Sequence, residues 1–179
     1  MENKNYTVSI YTENNVGLLS RIAAIFVKRR INIESITVSK TEVPGVMRFI
    51  IIVQVTPEKI KKIIGQLEKQ IEVIKAYYHT DEELIYQETA LYKIRTADFV
   101  EDFDIQEFIK DINARIVTVS SQFFVIEKTG KRSETESLHD KLKPYGLMQF
   151  VRSGTIAVSK NEMHISGLLE KFNTTNQVL

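Results

Sequence analysis

At 179 residues the chain is long enough for one ordinary domain or two small ones. Its 43% hydrophobic and 26% charged residues describe a packed globular protein and exclude wholesale disorder. Lysine and arginine number 24 against 23 aspartates and glutamates, so the net charge of +1 provides no overall field to attract nucleic acid or an anionic membrane. With no cysteine, disulfides, thiol nucleophiles and thiolate metal sites are excluded. The polar N-terminal stretch lacks the apolar core of a signal peptide, and no run approaches the ~18 apolar residues of a membrane span. A soluble cytoplasmic protein is the expectation.

Tyr6 to Thr12 reads as a strand, with Tyr6, Val8 and Ile10 alternating against Thr7, Ser9 and Tyr11. A helix follows at once, with Leu18, Leu19, Ile22, Ile25 and Phe26 at helical spacing. Lys28, Arg29 and Arg30 sit at its end, where they complement the negative end of the helix dipole. Asn32 to Ser39 is a second strand, and Glu42-Val43-Pro44-Gly45 is a turn signal leading to a third at Val46 to Val55. This third strand is apolar on both faces, as suits a central strand covered on both sides. Thr56-Pro57-Glu58 opens the next helix, whose stripe is Ile60, Ile63, Ile64, Leu67 and Ile71, and Val73 to His79 closes the unit as a strand. The order β-α-β-β-α-β describes helices packed on one face of an antiparallel sheet.

After the acidic link Thr80 to Glu83 the same order begins again. Leu84 to Arg95 is a strand, and Ile105, Phe108, Ile109 and Ile112 mark a helix. Arg115 to Ser120 and Gln122 to Glu127 are strands, and Lys128 to Lys131 is a turn. Ser133 with Glu136 is a capping-box signature for a helix through Leu138 and Leu142, stopped by Pro144 and Gly146. Leu147 to Val158 supplies a last strand or strand pair broken near Ser153-Gly154. The expected fold class is therefore α+β, two ferredoxin-like βαββαβ sandwiches. The division is 1–80, 81–160 and a weakly patterned, loosely held tail at 161–179.

No catalytic set emerges. His79, His139 and His164 fall in separate segments with no second ligand at metal spacing, so no metal site is expected. There is no Gly-x-Ser-x-Gly elbow, Walker loop or Gly-x-Gly-x-x-Gly. The pairs Glu82-Glu83 and Glu101-Asp102 fall in links or helix starts, where solvation accounts for them. RNA-recognition modules share the split βαβ order but read bases with aromatics on their central strands, and Val46 to Val55 offers one, Phe49, without their signature. No nucleic acid is expected as a partner.

One stretch carries the functional reading, Thr12 to Ser35. A helix opening at Asn14-Asn15-Val16-Gly17 has N–H groups without intrahelical partners and the positive end of its dipole, which suits a carboxylate. Gly17 lets a small ligand lie against the backbone, and Asn14 can cap the helix and meet an ammonium or carboxylate. An amino acid has this shape. On local spacing alone an ordinary N-cap followed by a permissive glycine is the favoured account of the stretch, by roughly three to one.

The segment Thr12-Glu13-Asn14-Asn15-Val16-Gly17-Leu18-Leu19-Ser20-Arg21, followed by Arg30-Ile31-Asn32-Ile33-Glu34-Ser35-Ile36, resembles the start of the regulatory (small) subunit of acetolactate synthase. Asn-x-x-Gly-x-Leu-x-Arg is widely shared by ACT domains, and Asn-Ile-Glu-Ser sharpens the match. Val151-Arg152-Ser153-Gly154 with Ile156-Ala157 is similar to the segment closing that family's second domain. The resemblance implies that the first unit is an ACT domain which forms a homodimer and binds the feedback inhibitor valine between protomers. Its contacts fall on Asn14, Gly17, Leu18 and Leu19 of one chain and on Asn32 and Ile33 of the other. It also implies a non-enzymatic protein without catalytic residues or cofactors, working with a catalytic (large) subunit that carries thiamine diphosphate, magnesium and FAD in branched-chain amino-acid biosynthesis. The alternative is a free-standing ACT-domain sensor or transcriptional regulator of another pathway.

The sequence departs from the family pattern twice. Arg30-Ile31 stands where glycine before an aromatic is common, and Arg30 is expected to cost about 1 kcal/mol if the backbone there is left-handed. Val16 occupies a position that is commonly small or polar.

Overall fold

The computed structural model describes residues 2–98, 109–161, 165 and 167–169. They divide into two compact units, Met1–Ile85 together with Ala157–Leu179, and Tyr86–Ile156. No helix among the described residues is long and apolar enough to cross a membrane.

The first unit runs β1 (Lys4–Glu13), α1 (Leu18–Lys28), β2 (Ile33–Lys40), β3 (Val46–Val55), α2 (Pro57–Leu67) and β4 (Val73–His79). Its antiparallel sheet has the order β2-β3-β1-β4, so the strand richest in apolar residues is an inner one. Tyr6, Val8 and Ile10 of β1 and Phe49, Ile51, Val53 and Val55 of β3 pack with Leu18, Ile22, Ile25 and Phe26 of α1 and Ile60, Ile63 and Leu67 of α2. The opposite face is buried as well: Thr7 is 2% exposed and Ser9 3%, although alternation makes them the polar side of β1. The α2 stripe stops one turn early. The helix ends at Leu67, so Ile71 lies beyond it and stands 95% exposed.

The exit of α1 is where the chain departs from the family pattern. Arg30 has φ of 54°, in the left-handed region. Its N–H donates to the Val27 carbonyl at 2.9 Å and the Ile31 N–H to the Phe26 carbonyl at 3.0 Å, the paired bonds of a Schellman turn, with Ile31 and Phe26 buried in the same core. The left-handed condition is therefore met, and the position is filled by a side chain that dislikes it. Arg30→Gly should raise unfolding stability by about 1 kcal/mol in a denaturant titration. An unchanged midpoint would show that the Arg30 conformation carries no strain.

The second unit repeats the device. Its strands are β5 (Leu84–Arg95), β6 (Arg115–Val119), β7 (Phe123–Gly130) and β8 (Leu147–Arg152), with α3 at Arg132–Leu142 and a path order of β6-β7-β5-β8; of the short β9 (Ile156–Ser159), all but Ile156 is counted with the first unit. This is the order of the first sheet again, and the two units are ferredoxin-like α+β sandwiches. The expected helix at 105–112 is partly outside the described residues, but residues 109–111 are helical and Ile109 is buried. That helix ends as α1 does: Asn113 is left-handed at φ 48°, its N–H on the Lys110 carbonyl and the Ala114 N–H on the Ile109 carbonyl, both at 3.0 Å.

Differences from expectation are local. Lys128 to Gly130 continue β7 instead of turning. The N-cap of α3 is Lys131, not Ser133, and the Glu134 carboxylate accepts the Lys131 N–H at 2.6 Å. Glu136 is thereby freed to accept from Arg132 at 3.0 Å and Arg152 at 3.2 Å, which hold its carboxyl below the usual range.

The second core holds Ala90, Tyr92, Ile94, Phe124, Ile126, Leu138 and Leu142. Tyr92 is wholly buried, and its hydroxyl donates to the Thr135 carbonyl at 2.7 Å. Burial pushes its pKa up to about 12 from 10.0. An unfolded chain therefore loses this proton first, and stability should fall as pH climbs from 10.0 towards about 12. Tyr92→Phe should flatten that decline in alkaline unfolding curves, and an unaltered slope would assign it to other groups.

Candidate functional site

The loop 14–17 leaves the end of β1 and enters α1. It is held from both sides by backbone bonds: the Glu13 N–H donates to the Glu72 carbonyl and the Asn14 N–H to the Gly45 carbonyl, each at 2.9 Å. Helix α1 begins later than its pattern suggests. Gly17 is the N-cap, left-handed at φ 79° and ψ 0°, with no side-chain cap. Asn14 thus does not cap the helix, and its exposed side chain stands three residues ahead of it. Asn15 donates to Glu13 Oε2 at 3.1 Å, and Val16 is 99% exposed.

The Leu18 N–H bends back to the Asn15 carbonyl at 3.3 Å, while those of Gly17 and Leu19 make no backbone bond among the described residues. Within the expected set Gly17 to Leu19, the open donors are therefore those of Gly17 and Leu19. The two leucines divide in their side chains as well. Leu18 is 3% exposed and belongs to the core, whereas Leu19 is 49% exposed beside the loop. The arrangement offers N–H groups at the positive end of a helix, a neighbouring amide side chain and two uncovered apolar groups, a setting for a small zwitterion.

Two residues outside the expected set hold this geometry. One turn into α1, Arg21 Nη2 meets Glu72 Oε1 at 2.7 Å. Glu72 thus fixes the loop through its carbonyl and the helix through its carboxylate. Arg21 belongs to the Asn-x-x-Gly-x-Leu-x-Arg spacing and was legible as part of a pattern. Glu72, 51 residues away, had no sequence signal at all.

Ile33 begins the edge strand β2, and Asn32 stands just before it. Asn32 is exposed, and Ile33 is half-buried against its own first core. Strand register locates them relative to the loop. Ile33 pairs with Val53 of β3, whereas Glu13, just before Asn14, pairs with Val46 of the same strand. The two partners are seven positions apart on β3, about 23 Å at ~3.3 Å per residue. In a single chain these two groups lie at opposite ends of one sheet.

The second motif has a structural role within its own unit. The Ser153 N–H donates to the Thr89 carbonyl at 2.7 Å and its Oγ accepts the Thr89 N–H at 2.9 Å, which closes β8 on β5. Arg152 reaches Glu88 Oε1 at 3.6 Å, and the Thr135 hydroxyl donates to the same carboxylate. Of the histidines, His79 stacks on Tyr77 and His139 on Phe150, while His164 lies outside the described residues.

Comparison with known proteins identifies the family. Residues 8–75 match the family model of the AHAS small subunit-like ACT domain, and residues 87–161 that of the small subunit of acetolactate synthase. The acetolactate synthase small subunit of Bacillus subtilis is 36% identical over 154 residues, covering 86% of this chain and 89% of that protein. A probable acetolactate synthase small subunit of Archaeoglobus fulgidus is 34% identical over 153 residues, with 86% and 95% covered. The crystal structure of the acetolactate synthase small subunit from Thermotoga maritima superposes with a TM-score of 0.79 at 31% identity, covering 89% of this chain and 99% of that one. From its ACT-type first unit through the Arg152-Ser153-Gly154 closure of its second, this chain belongs to the acetolactate synthase small-subunit family.

Proposed function

We propose that this protein is the regulatory subunit of an acetolactate synthase, that it raises the activity of the catalytic subunit, and that it transmits feedback inhibition by valine in branched-chain amino-acid biosynthesis. The catalytic partner carries the thiamine diphosphate, magnesium and FAD, and this chain contributes no catalytic residue. Valine sits between two copies, its carboxylate on the N–H groups of Gly17 and Leu19 and its ammonium on Asn14. The isopropyl group meets an apolar wall near Leu18 and Leu19, and Asn32 and Ile33 come from the partner copy.

The observation that carries this reading is the separation of the two half-sites along β3. They cannot meet within one chain, but β2 is an edge strand, and antiparallel association at that edge would set the Ile33 end of one copy beside the Lys40 end of the other. Regulation is then a linkage, in which valine prefers one arrangement of the dimer and the catalytic partner another.

Thermal unfolding with valine, leucine and isoleucine, and with glycine and lysine as controls, tests the sensor. Valine at 100 times its dissociation constant should stabilise the fold by about 2.7 kcal/mol, and Asn14→Ala should remove the shift. If neither the isolated chain nor the reconstituted enzyme responds to valine, the reading is wrong. Co-purification with a thiamine-dependent catalytic subunit tests the partner.

A further inference from the structure

The face of the first sheet away from α1 and α2 receives the end of the chain. Tyr11, Val43 and Val46 are 7%, 9% and 1% exposed and share an apolar cluster with Leu169, itself wholly buried. Ile74, Tyr77 and Ile165 pack around them. Polar contacts fasten the same end of the chain. Arg48 Nη2 donates to the Ala157 carbonyl at 2.6 Å, with its guanidinium 5.5 Å over the Tyr11 ring. Lys160 donates its N–H to the Glu83 carbonyl at 2.9 Å and its ammonium to the Glu82 carbonyl at 2.7 Å.

What Leu169 presses on is significant. Val43 and Val46 bracket Pro44-Gly45, and the Gly45 carbonyl accepts the Asn14 N–H. The turn is cross-braced: the Val46 N–H donates to the Val43 carbonyl at 3.2 Å, and Thr41 Oγ1 lies 3.2 Å from both the Val43 N–H and the Val46 carbonyl. Val46 is also paired in register with Glu13. A side chain seated behind these valines therefore sets where Gly45 stands, and through it Asn14.

We propose that Leu169 is a positioning residue for the loop 14–17: packed behind the Val43–Val46 turn, it holds Gly45 against Asn14 and so tunes the amino-acid site from residues at the far end of the sequence. The ligand side of this inference rests on the valine reading above; the mechanical side does not.

Amide hydrogen exchange on the full chain separates the two. Leu169→Ala should speed exchange of the Asn14 N–H by about tenfold through local opening, while Ile63→Val, which weakens the same unit from its helical face, leaves it unchanged. In the reconstituted enzyme Leu169→Ala should weaken valine binding by about tenfold without loss of the basal, valine-free activity. If Leu169→Ala does not fold, Leu169→Met keeps the side-chain volume while changing its shape and should show a smaller effect in the same direction. Unchanged Asn14 exchange in both Leu169 variants would overturn the proposal. Faster exchange in a protein whose wild type binds no valine would keep the proposal and remove the valine reading.

Discussion

Gly17→Asp should abolish the valine response of the assembled enzyme while leaving the fold nearly intact. A Cβ on Gly17 would meet Arg21 Nη1 at 3.8 Å, an ordinary contact, so sterics do not object. The left-handed backbone at φ 79° costs an L-residue about 1 kcal/mol, and aspartate is among the side chains that tolerate it best. The carboxylate at this helix start is even favoured by the dipole. The same charge, however, occupies the field that would hold the carboxylate of valine and repels it. Affinity should therefore fall about a hundredfold or more, against a stability loss of about 1 kcal/mol. Calorimetric titration with valine and denaturant unfolding of the same sample check both halves, with subunit association unaltered on gel filtration. Full valine sensitivity in Gly17→Asp would place the inhibitor elsewhere.

Arg152→Leu should cost about 3 kcal/mol of unfolding stability. The Glu88 side chain is 6% exposed, and its carboxylate has the Arg152 guanidinium at 3.6 Å. The Thr135 hydroxyl donates to it as well, and Arg152 also spans to Glu136 at 3.2 Å and covers the Phe150 ring at 5.0 Å. Leucine replaces the stem but leaves a buried carboxylate facing one hydroxyl. The Arg152 side chain is 26% exposed, which admits some water and holds the estimate at the lower end of what breaking a buried pair costs. Adding Glu88→Gln to Arg152→Leu should recover most of the loss in a double-mutant cycle. A loss under about 1 kcal/mol in the single variant would mean that solvent already serves Glu88.

What the sequence made legible was what neighbouring residues decide among themselves. Strands β3, β4 and β5 have the bounds that their patterns indicate, and for β3 Pro44-Gly45 and Thr56-Pro57 punctuate both ends on the spot. At Arg30 the missing glycine pointed to a helix exit that differs from the family's, yet the left-handed turn is kept with arginine in it. Misjudged features depended on distant partners or on competing local choices. Ser133 and Glu136 have capping spacing, but Lys131 and Glu134 capture the helix start two residues earlier, and Glu136 pairs with Arg132 and Arg152 instead. The expected cap at Asn14 is displaced because its N–H is committed to Gly45, 31 positions along. Leu169 carries no periodic pattern around it, yet the last described residues include one of the most thoroughly buried side chains. Periodicity reports a face that an element offers, and a single leucine seated on another element's face offers none.

The return of the chain end to the first unit has a consequence for how the protein is made. The ribosome delivers β1 to β4 early, but Ala157 to Leu169 belong to that unit and come only after all of Tyr86–Ile156. At ~5–20 residues per second the first sheet waits about 4–17 seconds for Leu169, with Tyr11, Val43 and Val46 lacking that cover. Until then the two valines and Tyr11 lack the side chain that completes their cluster, so the first domain is finished only after the second has been synthesised.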